Sequence, residues 1–313
     1  MTTGYLAPEG LEEALARELE GRIAGRHGRL FLCADPPAAD IAWAANVWRA
    51  VEDLPIASIG DAARKLRDRG RNWALYSLAH HRRAALIQAK LPKVSFKPLA
   101  FPAPPPEAPL GSWTLLAPDR MLCAARCDSA FPHGEARFVE DKAGPPNRAY
   151  LKLWEAFTRL GQRPGASERC LDLGASPGGW SWVAASLGAR VVAVDKASLD
   201  PRIAAMPGVE MLRASAFSLD PAGFGAVDWL LSDVVCYPTR LLALVKRWLA
   251  AGKVGRFLCT LKFQGATDFE AIAGFRAIPG GRLFHLHANK HELTWFLDTR
   301  RNLPAPLERN TRA

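Results

Sequence analysis

No run in this chain approaches the roughly 18 to 20 uncharged apolar residues that a membrane-spanning helix needs, so a helical membrane protein is excluded. The opening residues, MTTGYLAPEGLEEAL, hold no basic stretch followed by an apolar one, and no signal peptide is expected. Cysteine is sparse and scattered: Cys33, Cys123, Cys127, Cys170, Cys236 and Cys259 fall mostly in apolar runs, which suits reduced buried thiols and a cytoplasmic protein. Only Cys123 and Cys127 are close, and C-x3-C without a second pair does not make a zinc site. His285, His287 and His291 have no convincing further ligand, so no metal is expected. Also missing are internal repeats and any G-x-G-x-x-G turn, which disfavours a nicotinamide-dependent oxidoreductase.

What is present is a chain able to bury a core, with 49% apolar and 23% charged residues. Lysine and arginine number 41 against 31 acids, a net charge of +10, and a basic surface of that kind points to a polyanion such as nucleic acid.

A proline-rich stretch, 97–110, cannot continue a helix or an inner strand and reads as a linker. The predicted organisation is a smaller α+β domain over 1–96, this linker, a connecting segment 111–144, a main domain 145–300 and a tail 301–313. In the first domain, Leu11, Leu15 and Leu19 recur at helical spacing from Gly10 to Ile23, and Arg29–Cys33 reads as a strand. Arg64, Lys65, Arg67, Arg69 and Arg71, ending near Trp73, suit phosphate contacts with base stacking; a solvated helix face is the alternative.

After the linker, short apolar runs alternate with helical patterns: 170–174, 190–195, 209–213, 227–233 and 256–262, then a close pair at 282–287 and 293–297 expected to form an antiparallel hairpin. Runs apolar on both faces and separated by helices predict an α/β, mostly parallel, doubly wound sheet. Ligands bind at the carboxyl ends of such strands. The first run leads through Asp172-Leu-Gly-Ala-Ser-Pro-Gly-Gly-Trp180 into a helix, presenting Ser176, Pro177, Gly178, Gly179 and Trp180 at a tight turn. Asp195 ends the second run, 17 residues after Gly178, where an acid accepts hydrogen bonds from ribose hydroxyls. Turn and acid together predict a nucleoside cofactor without phosphates.

The segment LDLGASPGGWSWVA resembles the S-adenosylmethionine loop of the FtsJ-like RNA ribose 2′-O-methyltransferases. Lys152 in NRAYLKLWEAF, Asp233 in LLSDV, Lys262 in CTLKFQG and Glu292 in KHELTWFL match, in order and context, the Lys-Asp-Lys-Glu tetrad of that family, over 147 to about 298. The two-domain layout further resembles the bacterial enzymes that methylate a cytidine ribose of 23S rRNA, which carry a THUMP-containing RNA-binding region ahead of the catalytic domain. The resemblance implies a Rossmann-like class I methyltransferase sheet and a THUMP or ferredoxin-like N-terminal domain. It also implies S-adenosylmethionine as cofactor and 23S rRNA or its precursor as partner. Ser215 stands where the family usually has an acid near the adenine.

The chemistry fits the tetrad. A ribose hydroxyl is a weak nucleophile, and the resemblance casts Lys262 as its proton acceptor. Free lysine has a pKa of about 10.4, so Lys262 must be perturbed, and burial beside a second ammonium, Lys152, would lower it. Asp233 can orient a lysine and meet the cationic end of the cofactor, while Glu292 balances the second lysine. Other readings are a catalytically silent RNA-binding protein on the same fold, or a methyltransferase acting on another RNA.

Overall fold

The computed structural model describes residues 1–38 and 41–301, so the tail, apart from Arg301, lies outside them. The chain forms two compact units, one of Met1–Glu140, Trp154–Gly161 and Phe284–Lys290, the other of Asp141–Leu153, Gln162–Leu283 and His291–Ala313.

The first unit contains β1 (Thr3–Leu6), α1 (Glu12–Glu18), β2 (Ile23–His27), β3 (Leu30–Cys33), β4 (Asn46–Arg49), β5 (Glu52–Pro55), α2 (Ile59–Arg67), β6 (Trp73–Leu75), α3 (His81–Gln88), β7 (Gly111–Ala117), β8 (Arg120–Ala124) and β9 (Arg126–Cys127). They make two sheets, ordered β2-β3-β1-β4-β9 and β5-β8-β7-β6. The α1 helix is shorter than its leucine pattern suggested, because Ile23 already opens β2. Ser58 caps α2 by accepting from the Asp61 amide at 3.1 Å, and Ala62, Ala63 and Leu66 turn inward onto Trp73, Trp113 and Met121. The indole of Trp113 donates to Gln88 Oε1 at 2.8 Å, so this buried polar atom is satisfied.

Residues 1–96 supply four paired strands of the first sheet, but the second sheet needs strands from beyond the proline-rich stretch: β5 pairs with β8, and β6 with β7. That stretch is not a free spacer either. The Leu99 amide donates to the Arg137 carbonyl at 2.8 Å and its own carbonyl accepts from Val139 at 3.0 Å, tying it to the unit it was expected to leave. Among so many prolines, Leu99 keeps the N–H that makes this possible.

The basic run is also different in place. Arg64 pairs with Asp61 and Asp68, Lys65 with Asp61, and Arg69 with Glu52, while Arg67 donates to the Lys90 carbonyl. Spaced three and four residues apart on α2, these charges meet internal acids. The run is therefore largely a paired helix face.

The second unit contains β10 (Arg169–Leu173), α5 (Gly179–Ser186), β11 (Arg190–Asp195), α6 (Pro201–Ala204), β12 (Val209–Arg213), β13 (Val227–Ser232), α7 (Pro238–Ala250), β14 (Val254–Lys262), α8 (Phe269–Arg276), β15 (Arg282–Phe284) and β16 (Glu292–Asp298); α4 (Tyr150–Leu160) straddles the two units along the chain. Its seven-stranded sheet runs β12-β11-β10-β13-β14-β16-β15. The strands from β10 to β14 pair in parallel, and β16 runs antiparallel to β14. This is the α/β fold expected, with a mixed rather than wholly parallel sheet. Trp229, Trp248 and Trp295 are fully buried here. The order reverses beside β10, so the ligand crevice falls where the glycine turn leaves that strand.

Candidate active site

The turn after β10 is shaped by two glycines. Gly178 caps α5 with φ of +116°, a conformation side chains rarely adopt, and a Cβ on Gly179 would overlap Asn147 Oδ1. Asp195, ending β11, accepts from the Ser176 amide at 3.1 Å and from the Ala197 amide at 2.9 Å, fixing the turn against the next strand. The Trp180 indole donates to the Ala149 carbonyl at 3.0 Å and anchors the start of α5.

Around this turn opens a cavity of about 400 Å³, lined by Ser176, Gly179, Trp180, Asp195, Asp233 and Lys262 among others. A second, of about 220 Å³, shares Gly174, Asp195, Val234 and Val235 with it and extends to Ser215, Phe217 and Arg240. Of the residues singled out from sequence, Pro177, Gly178, Lys152 and Glu292 line neither space, and the first two serve the shape of the turn.

The four tetrad positions meet. Lys152 Nζ lies 3.0 Å from Asp233 Oδ1 and 2.7 Å from Glu292 Oε2. Lys262 Nζ lies 3.2 Å from Asp233 Oδ2 and donates to the Asp233 carbonyl at 2.5 Å. Strand register explains the closeness, since Lys262 on β14 is paired directly with Glu292 on β16. Burial alone would lower the Lys152 pKa, but Asp233 and Glu292 outweigh it and the net direction is up, so this ammonium keeps its charge. Sequence reasoning cast Lys152 as the neighbour that depresses Lys262; in the structure the Asp233 carboxylate faces both lysines and separates them.

Residues 145–263 match the family described as FtsJ-like methyltransferase. Among curated proteins, the chain is similar to "Ribosomal RNA large subunit methyltransferase M" of Aromatoleum aromaticum, 36% identical over 199 residues, covering 57% of this chain and 53% of that protein. The proteins of the same name from Thauera aminoaromatica (34% identical, 55% of this chain and 51% of that one) and Halorhodospira halophila (40%, 50% and 47%) are also similar. The chain thus spans about half the length of the curated relatives it matches.

The matched stretch also holds a residue not singled out from sequence, although it opens the D-x-G turn. Asp172 is 1% exposed, accepts from Ser181 Oγ at 2.7 Å and lines the larger cavity. Burial raises its pKa to about 7, helped by the Asp233 and Asp195 charges and opposed by the Ser181 hydrogen bond. A carboxyl raised in the folded state makes stability fall as pH climbs from its ordinary 3.8 toward about 7. A cation entering the cavity favours the carboxylate and expels the proton. Affinity for S-adenosylmethionine should therefore rise with pH up to about 7, by at most tenfold per unit, and level off above it. Calorimetry from pH 5.5 to 8.5 measures this, and Asp172→Asn should flatten the slope. A slope retained in that variant assigns the titration to another group.

Among the described residues no cluster of three or more His, Cys, Asp or Glu side chains could hold a metal ion, and no helix is long and apolar enough to cross a membrane.

Proposed function

We propose that the chain is an S-adenosylmethionine-dependent RNA methyltransferase that modifies a ribose 2′-hydroxyl of 23S rRNA, with cytidine as the favoured nucleotide. The observation carrying this reading is the Lys152–Asp233–Lys262–Glu292 cluster, of which Asp233 and Lys262 line a nucleoside-sized cavity. The cavity residues fit the cofactor: Ser176, Gly179, Trp180 and Asp195 would hold its nucleoside and Ser215 its base edge, while Asp172, Asp195 and Asp233 favour a cationic ligand and disfavour a pyrophosphate. S-adenosylmethionine supplies an electrophilic methyl group. The protein's part is to hold a ribose hydroxyl for in-line attack and receive its proton at Lys262 Nζ. Asp233 orients that amine through its carbonyl and carboxylate. Lys152, kept charged between Asp233 and Glu292, holds the carboxylate in place. The first unit is assigned RNA binding, THUMP-like in role.

Asp195→Ala should weaken S-adenosylmethionine binding by about 1 to 3 kcal/mol, the worth of hydrogen bonds to a charged group. Unchanged affinity in calorimetry would place the ribose elsewhere. The function itself is tested by mapping 2′-O-methyl positions in rRNA with and without the protein. A single ribose site should disappear with it, whereas loss of a base methylation would overturn the ribose assignment.

A further inference from the structure

The first unit holds a cavity of about 280 Å³ to which neither the tetrad nor the glycine turn contributes. That volume sits at the small end of ligand sites, roughly 300 to 1,000 Å³, and suits one base rather than a dinucleotide. Its floor is the edge strand β6, contributing Ala74 and Leu75, and one wall is the proline-rich segment held by Leu99.

The polar groups around it are specific. His133 lies in a left-handed turn with φ of +58°, a conformation uncommon for a residue with a side chain. Burial pushes its pKa down from the ordinary histidine value, which favours the neutral ring. Its buried Nδ1 has no hydrogen-bond partner among the described residues. In the neutral tautomer protonated at Nε2, Nδ1 is an acceptor. Glu135 supplies a second acceptor beside it, and its Oε2 also takes Arg137 at 2.9 Å. Phe96, 47% exposed, and Phe131 offer aromatic faces, while Lys97 and the exposed Arg137 stand on the same lining.

We infer that this cavity binds one unstacked nucleotide of the RNA, with a base that bears an exocyclic amine. The inference rests on the RNA reading above and adds a site to it. Aromatic faces recruit a base by stacking, and lysine and arginine at the rim meet its phosphates. Two acceptors inside select an amino-bearing base over uracil, which has no exocyclic amine to offer them. The pairing of the α2 run with internal acids agrees with placing RNA contact here.

The test uses the full chain and fluorescently labelled oligo(A), oligo(C) and oligo(U) RNA at one salt concentration. Wild type should bind oligo(A) and oligo(C) more tightly than oligo(U). Phe96→Ala should weaken all amino-bearing probes by roughly 5- to 100-fold, the range for losing one base stack. Glu135→Gln, which replaces an acceptor by an amide that also donates, should cut the preference over oligo(U) by about threefold or more. S-adenosylmethionine affinity should stay at the wild-type value in both, as a check on folding. If wild type binds RNA and both variants match wild type in affinity for each of the three probes, the cavity proposal alone is overturned. If wild type binds S-adenosylmethionine but none of the RNAs, both this proposal and the RNA reading fail.

Discussion

Lys262→Ala should lower methyl transfer by about 10² to 10⁴, the usual worth of a positioned general base, with S-adenosylmethionine affinity nearly unchanged. Among the described residues the amine at this position bonds to Asp233, through its carbonyl and Oδ2, so its removal leaves the turn that faces the nucleoside intact. Lys262→Arg is the decisive companion. It keeps a positive charge beside Asp233 but cannot give up a proton in the working range, so it should be nearly as inactive as the alanine variant. Single-turnover transfer from radiolabelled S-adenosylmethionine separates the two roles. An active arginine variant would reduce Lys262 to a clamp on the RNA.

Asp233→Ala should abolish transfer and also destabilise the protein by about 3 kcal/mol, because it leaves two largely buried ammonium groups facing each other. The side chains of Lys152 and Lys262 are only 12% and 16% exposed, and Glu292 remains to Lys152 alone. In the second unit the loss corresponds to a drop in Tm of roughly 6 to 12 °C. The pH dependence fixes the cause. Lys152 has its pKa raised above 10.5 in the folded protein, so the stability it contributes is complete below that value and is lost as pH rises through the folded pKa. The gap between wild type and variant should thus be widest at neutral pH and shrink in strong alkali. Thermal melts of Asp233→Ala and Asp233→Asn from pH 7 to 11 measure it, and a gap independent of pH would mean that packing, not charge, holds the carboxylate's neighbours.

The second unit was legible in sequence because each of its inner strands is buried on both faces. Runs such as Arg190–Asp195 contrast sharply with the helices between them, and the chemistry stands at their ends. All four tetrad positions could be placed for the same reason, although what decides their geometry, the pairing of Lys262 with Glu292, needs strands 30 residues apart to be in register. The first unit hid its strands. β2, Ile-Ala-Gly-Arg-His, and β5, Glu-Asp-Leu-Pro, carry little apolar pattern, since both are edge strands with one side open. The role of Leu99 was invisible because a single N–H among prolines carries it. Asp172 was in plain view but inside a run read as a strand, where nothing marks the one side chain that faces a cavity.

The chain passes between its two units five times, at residues 140, 153, 161, 283 and 290. No single cut can therefore liberate either one. A fragment ending at residue 140 would lack Glu155, which is buried and accepts from the His287 and Ala288 amides, and Arg159, which donates to the Gly134 and His285 carbonyls. Both segments, 154–161 and 284–290, belong to the first unit although they lie within the stretch of sequence that otherwise builds the second. Gene fusion by simple end-to-end joining does not produce such threading. Any attempt to transplant the second unit onto another carrier carries residues 154–161 and 284–290 with it, and so removes from the first unit segments that complete it.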